Sequence, residues 1–233
     1  MFGPDLFDTI VDFNDRVFRN IATLIESEDL LDDLSDDPND RSYGEALVSD
    51  LGQEQGYESP IITRPFIYGR ILEDGICNYP CSRFSDGKRF GVWYGSLDVL
   101  TTIYETVYHW KQFIADMSIK INDELVAERV VYKVFASGVL VDLRNKCPDY
   151  PDLIANDYQF THRVGDWMYE KDQNGLLVTS SRRKEGVNIA AFKPRILSDP
   201  RHHDYLIYRW TPGGSRVVVE SAQGNLRQEL FLE

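Results

Sequence analysis

The sequence predicts an α+β domain built on antiparallel strands, and three observations predict it. Strand-like runs arrive in pairs around turns that contain Gly or Pro. Only two segments of the interior chain carry helical periodicity. Those helices do not alternate with strands, as a doubly wound parallel sheet requires. At 233 residues the chain suits one large domain, or one domain with an appendage. A composition that is 42% hydrophobic and 12% aromatic supports a sizeable core and excludes wholesale disorder.

The N-terminal segment, residues 5–34, reads as an amphipathic helix. Leu6, Ile10, Phe13, Val17, Ile21 and Leu24 recur at three- and four-residue steps. Such a helix docks on the main domain or pairs with its copy in a second subunit, so self-association is one expectation. Residues 36–57 are polar and acidic and read as a solvated linker. The Asp-rich run lacks the Gly and terminal Glu offsets of an EF-hand loop.

Charge divides the chain unevenly. Residues 26–58 hold twelve acidic side chains against one base, Arg41, while the whole chain carries -13. Residues 1–25 carry -2, so residues 59–233 are neutral overall. We therefore expect an acidic helical extension over 1–58 and a separate main domain over 59–233. Neither offers the basic stripe of a nucleic-acid binder.

In the second part, Phe90–Tyr94 alternates and reads as a strand. Ser96 is a candidate N-cap for a helix to about Met117, with Leu100, Ile103, Tyr104, Val107, Trp110 and Ile114 along its apolar face. Glu105 lies off that stripe. Strand runs at Arg129–Ala136 and Val139–Leu143 flank Ser137-Gly138, and Leu176–Ser180 and Asn188–Phe192 flank a turn at 182–186. A further pair, Tyr205–Trp210 and Val217–Glu220, flanks Pro-Gly-Gly, and a second helix is expected near Gln159–Glu170.

No run approaches the roughly 18–20 apolar residues that span a bilayer, and the acidic N-terminus is no secretory signal. Three cysteines are too few for a disulfide scaffold. A cytoplasmic protein without membrane or nucleic-acid contacts is the expectation. GxGxxG, Walker A and GxSxG motifs are absent. Cys77-x3-Cys81 lacks a second pair at zinc spacing, and His202-His203 reads as solvated surface, so no metal is expected.

One constellation remains: Arg70, Arg83, Tyr94 and Glu105, followed by Ser180 and Arg182. Its carrying stretches are SRFSDGKRFGVWYGSLDVLTTIYETVYHW at 82–110 and GLLVTSSRRKEGVNIAAFKP at 175–194, with HDYLIYRWTPGGSRV near the end. Over residues 64–220 the chain resembles the RES-domain proteins, a family named for its Arg, Glu and Ser. The resemblance implies an ADP-ribosyltransferase-like antiparallel core with flanking helices, and a toxin that consumes NAD. Relatives split NAD with phosphate or water, or transfer ADP-ribose to a protein, and many pair with a helix-turn-helix antitoxin. A non-catalytic member that keeps the fold as a partner-binding platform is the rival class.

Carried over by that resemblance, Arg70 follows the first strand's aromatic in Tyr68-Gly69-Arg70, Arg83 matches the second Arg, Tyr94 the strand-end Tyr and Glu105 the helix Glu. Ser180 fits the family serine when Gly175 is the anchor, with Ser181 the adjacent alternative, because Val178-Thr179 replaces the usual Tyr-Pro. Glu105, Arg70 and Tyr94 are then the catalytic set. Arg70, Arg83, Tyr94, Ser180 and Arg182 are the NAD-binding set.

The residue types suit that chemistry independently. Breaking a nicotinamide–ribose bond develops an oxocarbenium-like centre, which a carboxylate stabilises. A pyrophosphate favours planar bidentate arginines, and an aromatic face stacks a base.

Overall fold

The first strand stands where periodicity predicts a helix. The computed structural model describes residues 2–3, 5–22, 70–71, 77–78, 81–116 and 124–231. In it Ile10–Ala22 is a thirteen-residue strand, β1. Phe13, Val17 and Ile21 satisfy a two-residue period as well as a helical one, so periodicity alone does not decide the segment. Tertiary pairing does: each residue of β1 has an antiparallel partner on β5 (Leu125–Asp142), from Ile10↔Val141 to Ala22↔Arg129. Residues 23–34, the acidic linker and the boundary drawn at 58 lie outside the described residues.

Two short strands, β2 (Arg70–Ile71) and β3 (Cys77–Asn78), pair antiparallel. The strand expected over 90–94 is displaced to Trp93–Ser96, β4. Helix α1 follows at Val99–Asp116. Its cap is Asp98 rather than Ser96: Thr101 donates its backbone N–H to Asp98 Oδ1 at 2.8 Å and its hydroxyl to Oδ2 at 2.7 Å.

The predicted hairpin at Ser137-Gly138 does not form. β5 runs straight through, because Asn14↔Ser137 and Phe13↔Gly138 pairings hold both residues extended against β1. Helix α2 occupies Gln159–Glu170 as expected. The hairpin β6 (Gly175–Thr179) and β7 (Val187–Ala191) follows, then β8 (Leu197–Trp210), β9 (Arg216–Ser221) and β10 (Arg227–Phe231).

The large sheet has the order β1-β4-β7-β6-β5-β8-β9-β10, and β1 also pairs with β5. The pairings β1–β4, β4–β7, β7–β6, β6–β5 and β5–β1 thus close a ring. β8, β9 and β10 extend from the far edge of β5. Among the described strands only β5 and β6 pair in parallel, through Val141↔Leu176 and Asp142↔Leu177. The result is an α+β fold with the expected antiparallel bias. No helix among the described residues is long and apolar enough to cross a membrane.

Alternation on β6 and β7 sorts their residues into two cores. Leu177, Ile189 and Ala191 pack with Phe13, Val17, Trp93 and Leu140. Leu176, Val178 and Ala190 pack with Phe84, Leu153, Val164 and Met168 towards α2. Strands buried on both faces read as continuous apolar runs, which is what LLV and IAA are. A third core joins Ile103 and Val107 of α1 to Leu206, Tyr208, Val217 and Val219.

One glycine matters for the site. A Cβ at Gly165 of α2 would lie 1.7 Å from the carbonyl oxygen of Phe84. Its absence lets the 83–85 backbone press against α2, which fixes where Arg83 points.

Candidate active site

A cleft of about 380 Å³ opens where β1, β4, α1 and the 81–83 segment meet. Its volume lies within the range of about 300–1,000 Å³ common for small-molecule sites. Arg83, Tyr94 and Glu105 line it, together with Arg19, Ser82, His109, Arg129 and Tyr158. Glu105 is the one carboxylate among these residues, against three guanidinium groups.

Glu105 is buried, although it stands off the apolar stripe of α1. The β6–β7 hairpin covers it. Its Oε1 accepts from Ser180 Oγ at 2.7 Å and from Asn188 Nδ2 at 2.6 Å. Its Oε2 has no hydrogen bond among the described residues. Two donors thus converge on one carboxylate oxygen, and hydrogen bonds to a charged acceptor are worth about twice a neutral one.

Ser180 stands behind Glu105 and not on the cleft wall. Besides donating to Glu105, its oxygen accepts the backbone N–H groups of Arg182 and Arg183, each at 3.1 Å. One hydroxyl thus ties the hairpin turn to the carboxylate. The neighbouring Ser181 instead accepts from Arg83 Nη2 at 2.6 Å.

Arg83 is 7% exposed. Its Nη1 donates to the carbonyls of Leu153 and Ala155, and its guanidinium lies 4.8 Å from the Tyr158 ring centroid. These partners are neutral, and among the described residues no carboxylate forms an ion pair with Arg83.

Tyr94 accepts from Asn188 Nδ2 at 2.9 Å. Burial pushes its phenol far above the ordinary range, and the Glu105 charge adds to the effect, with Arg83 and the Asn188 bond opposing. The group is therefore a neutral phenol at physiological pH. Its ring is 6.4 Å from that of Phe84, centroid to centroid, and lies roughly parallel to it.

Arg182 is off the cleft wall. Its guanidinium stacks 3.3 Å from the Tyr108 ring centroid, and Nη1 donates to Asn156 at 2.6 Å. Its Nε and Nη2 are buried without a hydrogen-bond partner among the described residues. Arg70 lies on β2 opposite Asn78, and its side chain is outside what the structure describes, as are Tyr68 and Gly69.

Sequence reasoning missed several groups. Asn188 sits inside the quoted 175–194 stretch, but no role attaches to it from sequence. Arg19 and Arg129 have no local signature at all. They come together because β1 pairs with β5: Arg19 Nη1 donates to the Tyr94 carbonyl at 2.8 Å, and Arg129 Nε donates to Asn20 at 2.7 Å. Ser82 lines the cleft with a buried hydroxyl that has no partner among the described residues. His109 stands one helical turn beyond Glu105 on α1, and nothing in the sequence gives it a role. Desolvation in the cleft lowers its pKa below the ordinary 6.5; Glu105 opposes the shift, and Arg182, Arg83 and Arg129 reinforce it.

A family model described as the RES domain matches residues 57–211. The crystal structure of the M. tuberculosis MbcT-MbcA toxin-antitoxin complex contains a similar chain, with 12% identity, 88% of each chain covered and a TM-score of 0.47. No curated protein matches the chain in sequence.

Proposed function

The chain belongs to the RES-domain family, and on that premise we propose that it is a toxin-type enzyme that cleaves the nicotinamide–ribose bond of NAD. ADP-ribose passes to phosphate or water, making the activity that of an NAD phosphorylase or glycohydrolase. The observation that carries this reading is a single carboxylate, Glu105, in a cleft that three arginines, Arg19, Arg83 and Arg129, also line. The substrate has the complementary pattern, a reacting sugar that turns cationic next to a dianionic pyrophosphate.

Each group has a definite task. Glu105 stabilises the positive charge that grows on the ribose as the bond stretches, using the oxygen that Ser180 and Asn188 leave unengaged. At about 4 Å and an effective dielectric near 20, one such charge is worth roughly 4 kcal/mol, or about a thousandfold in rate. Arg83, with Arg70 beside it in the family pattern, offsets the phosphate charge. Tyr94 offers an aromatic face and a hydroxyl to the nicotinamide or the ribose. Ser82 supplies a further hydroxyl at the same wall. Nicotinamide leaves as a neutral molecule from an already cationic ring, so the site needs no general acid.

A cognate helix-turn-helix antitoxin that covers the cleft belongs to the same proposal, on the family resemblance. The deciding experiment incubates the purified protein with NAD, with and without phosphate, and identifies products by mass. Free nicotinamide with ADP-ribose, or with a phosphorylated ADP-ribose when phosphate is present, is the expected result. Unchanged NAD with a folded sample overturns the reading.

A further inference from the structure

We propose that Asn188 is the positioning residue of this cleft, fixing which Glu105 oxygen meets the substrate and making the Tyr94 hydroxyl a donor towards it. The proposal takes the identity of the substrate from the reading above; the array itself stands on geometry alone.

Asn188 is fully buried on β7, directly opposite Ser96 of β4. Its Oδ1 accepts from the Ser96 hydroxyl at 2.7 Å. Its Nδ2 donates one hydrogen to Glu105 Oε1 at 2.6 Å and the other to Tyr94 Oη at 2.9 Å. The reversed amide would place a carbonyl oxygen against the Glu105 carboxylate, two acceptors in contact, and is strongly disfavoured. The orientation is therefore set from both sides, by a donor on β4 and an acceptor on α1.

Two consequences follow from counting protons. Glu105 Oε1 already holds two donors, Ser180 and Asn188. The oxygen left for the substrate is Oε2. Tyr94 Oη accepts from an amide that can only donate, so the phenol proton is directed elsewhere. Among the described residues it has no acceptor, and Tyr94 lines the cleft. One amide thus couples a bare carboxylate oxygen to an outward O–H donor. The ligand group that fits has an acceptor oxygen, a sugar hydroxyl or a carboxamide carbonyl, beside an atom that becomes positive.

The test uses the full chain with Asn188→Asp, which keeps the shape but loses the amide donors, and Asn188→Ala. Positioning predicts kcat lower by about tenfold to a hundredfold, as small misplacements of a reacting group produce, with KM within about threefold of wild type. Unchanged kcat and KM in a folded variant overturn the proposal. If neither variant folds, Ser96→Ala removes only the hydroxyl that orients the amide and should lower kcat by about threefold.

A spectroscopic arm is independent of turnover. In 15N-labelled protein without substrate, the Asn188 side-chain amide protons should exchange slowly and should shift in Glu105→Gln. A freely exchanging, unshifted amide overturns the proposal. A protected amide in a protein that leaves NAD untouched supports the array and faults the activity instead.

Discussion

Ser180 Oγ donates to Glu105 Oε1 at 2.7 Å, joining residues 75 positions apart. The bond fastens the β6–β7 hairpin over α1 before any ligand arrives. Because the same oxygen accepts two backbone N–H groups of the turn, the hydroxyl is fully engaged by protein. In this structure the serine holds the carboxylate rather than facing the cleft.

That arrangement makes Glu105→Gln the sharpest substitution. The glutamine carbonyl keeps both incoming bonds, and its amide takes the place of Oε2, so shape survives and charge does not. Turnover should fall by about a hundred- to a thousandfold, with a melting temperature close to wild type. Steady-state NAD consumption beside a thermal melt measures both. Turnover within threefold of wild type would identify Glu105 as the wrong carboxylate.

Arg83→Ala should behave differently. Its guanidinium holds the Leu153 and Ala155 carbonyls and the Ser181 hydroxyl, and these would lose their donor. A buried unsatisfied polar group costs about 1–3 kcal/mol, so stability should drop along with affinity for NAD. We expect KM to rise as well as kcat to fall. An unaltered KM would remove Arg83 from the donor site.

How far the sequence reveals this site differs from element to element. The β6–β7 hairpin and α2 are legible because their local signals, turn residues between apolar runs and a helical period, agree with the tertiary structure. Ser137-Gly138 carries an equally good turn signal. It is overridden because both residues pair with β1, a partner more than a hundred positions away. Arg19 fails for the same reason: only pairing of β1 brings it to Tyr94. Asn188 is a third case, since a buried amide's partners are set by packing and not by spacing.

The pairing of β1 predicts the effect of truncation. Read as a helical appendage, the N-terminus would be dispensable to the fold. As a strand it contributes Phe13 and Val17 to the ring core and Arg19 to the cleft, and its loss bares an edge of β5. Deleting residues 1–22 should give insoluble protein or a greatly lowered melting temperature. A soluble product with the wild-type melt would show that the ring closes without β1.

The last prediction concerns acid. His109 has a folded pKa below its ordinary 6.5, chiefly through desolvation in the cleft and then through the arginines around it. The neutral imidazole is thus favoured in the folded state. Above the ordinary value both folded and unfolded chains carry neutral His109, and it contributes no pH dependence. As pH falls through that value, the unfolded chain takes up a proton first. Folding stability must then decline until the pH passes the folded pKa, because stability rises with pH wherever the unfolded state binds more protons. His109→Gln removes this site from the balance. Urea denaturation at pH 7.5 and pH 5.5 should show a smaller acid-induced loss for the variant than for wild type. Carboxylates remote from His109 act equally on both proteins, and repeating the comparison in the Glu105→Gln background removes the one carboxylate coupled to it, so the difference isolates the imidazole. Identical losses would mean that His109 titrates in the folded protein as it does in the unfolded chain, and that burial in the cleft does not shift it.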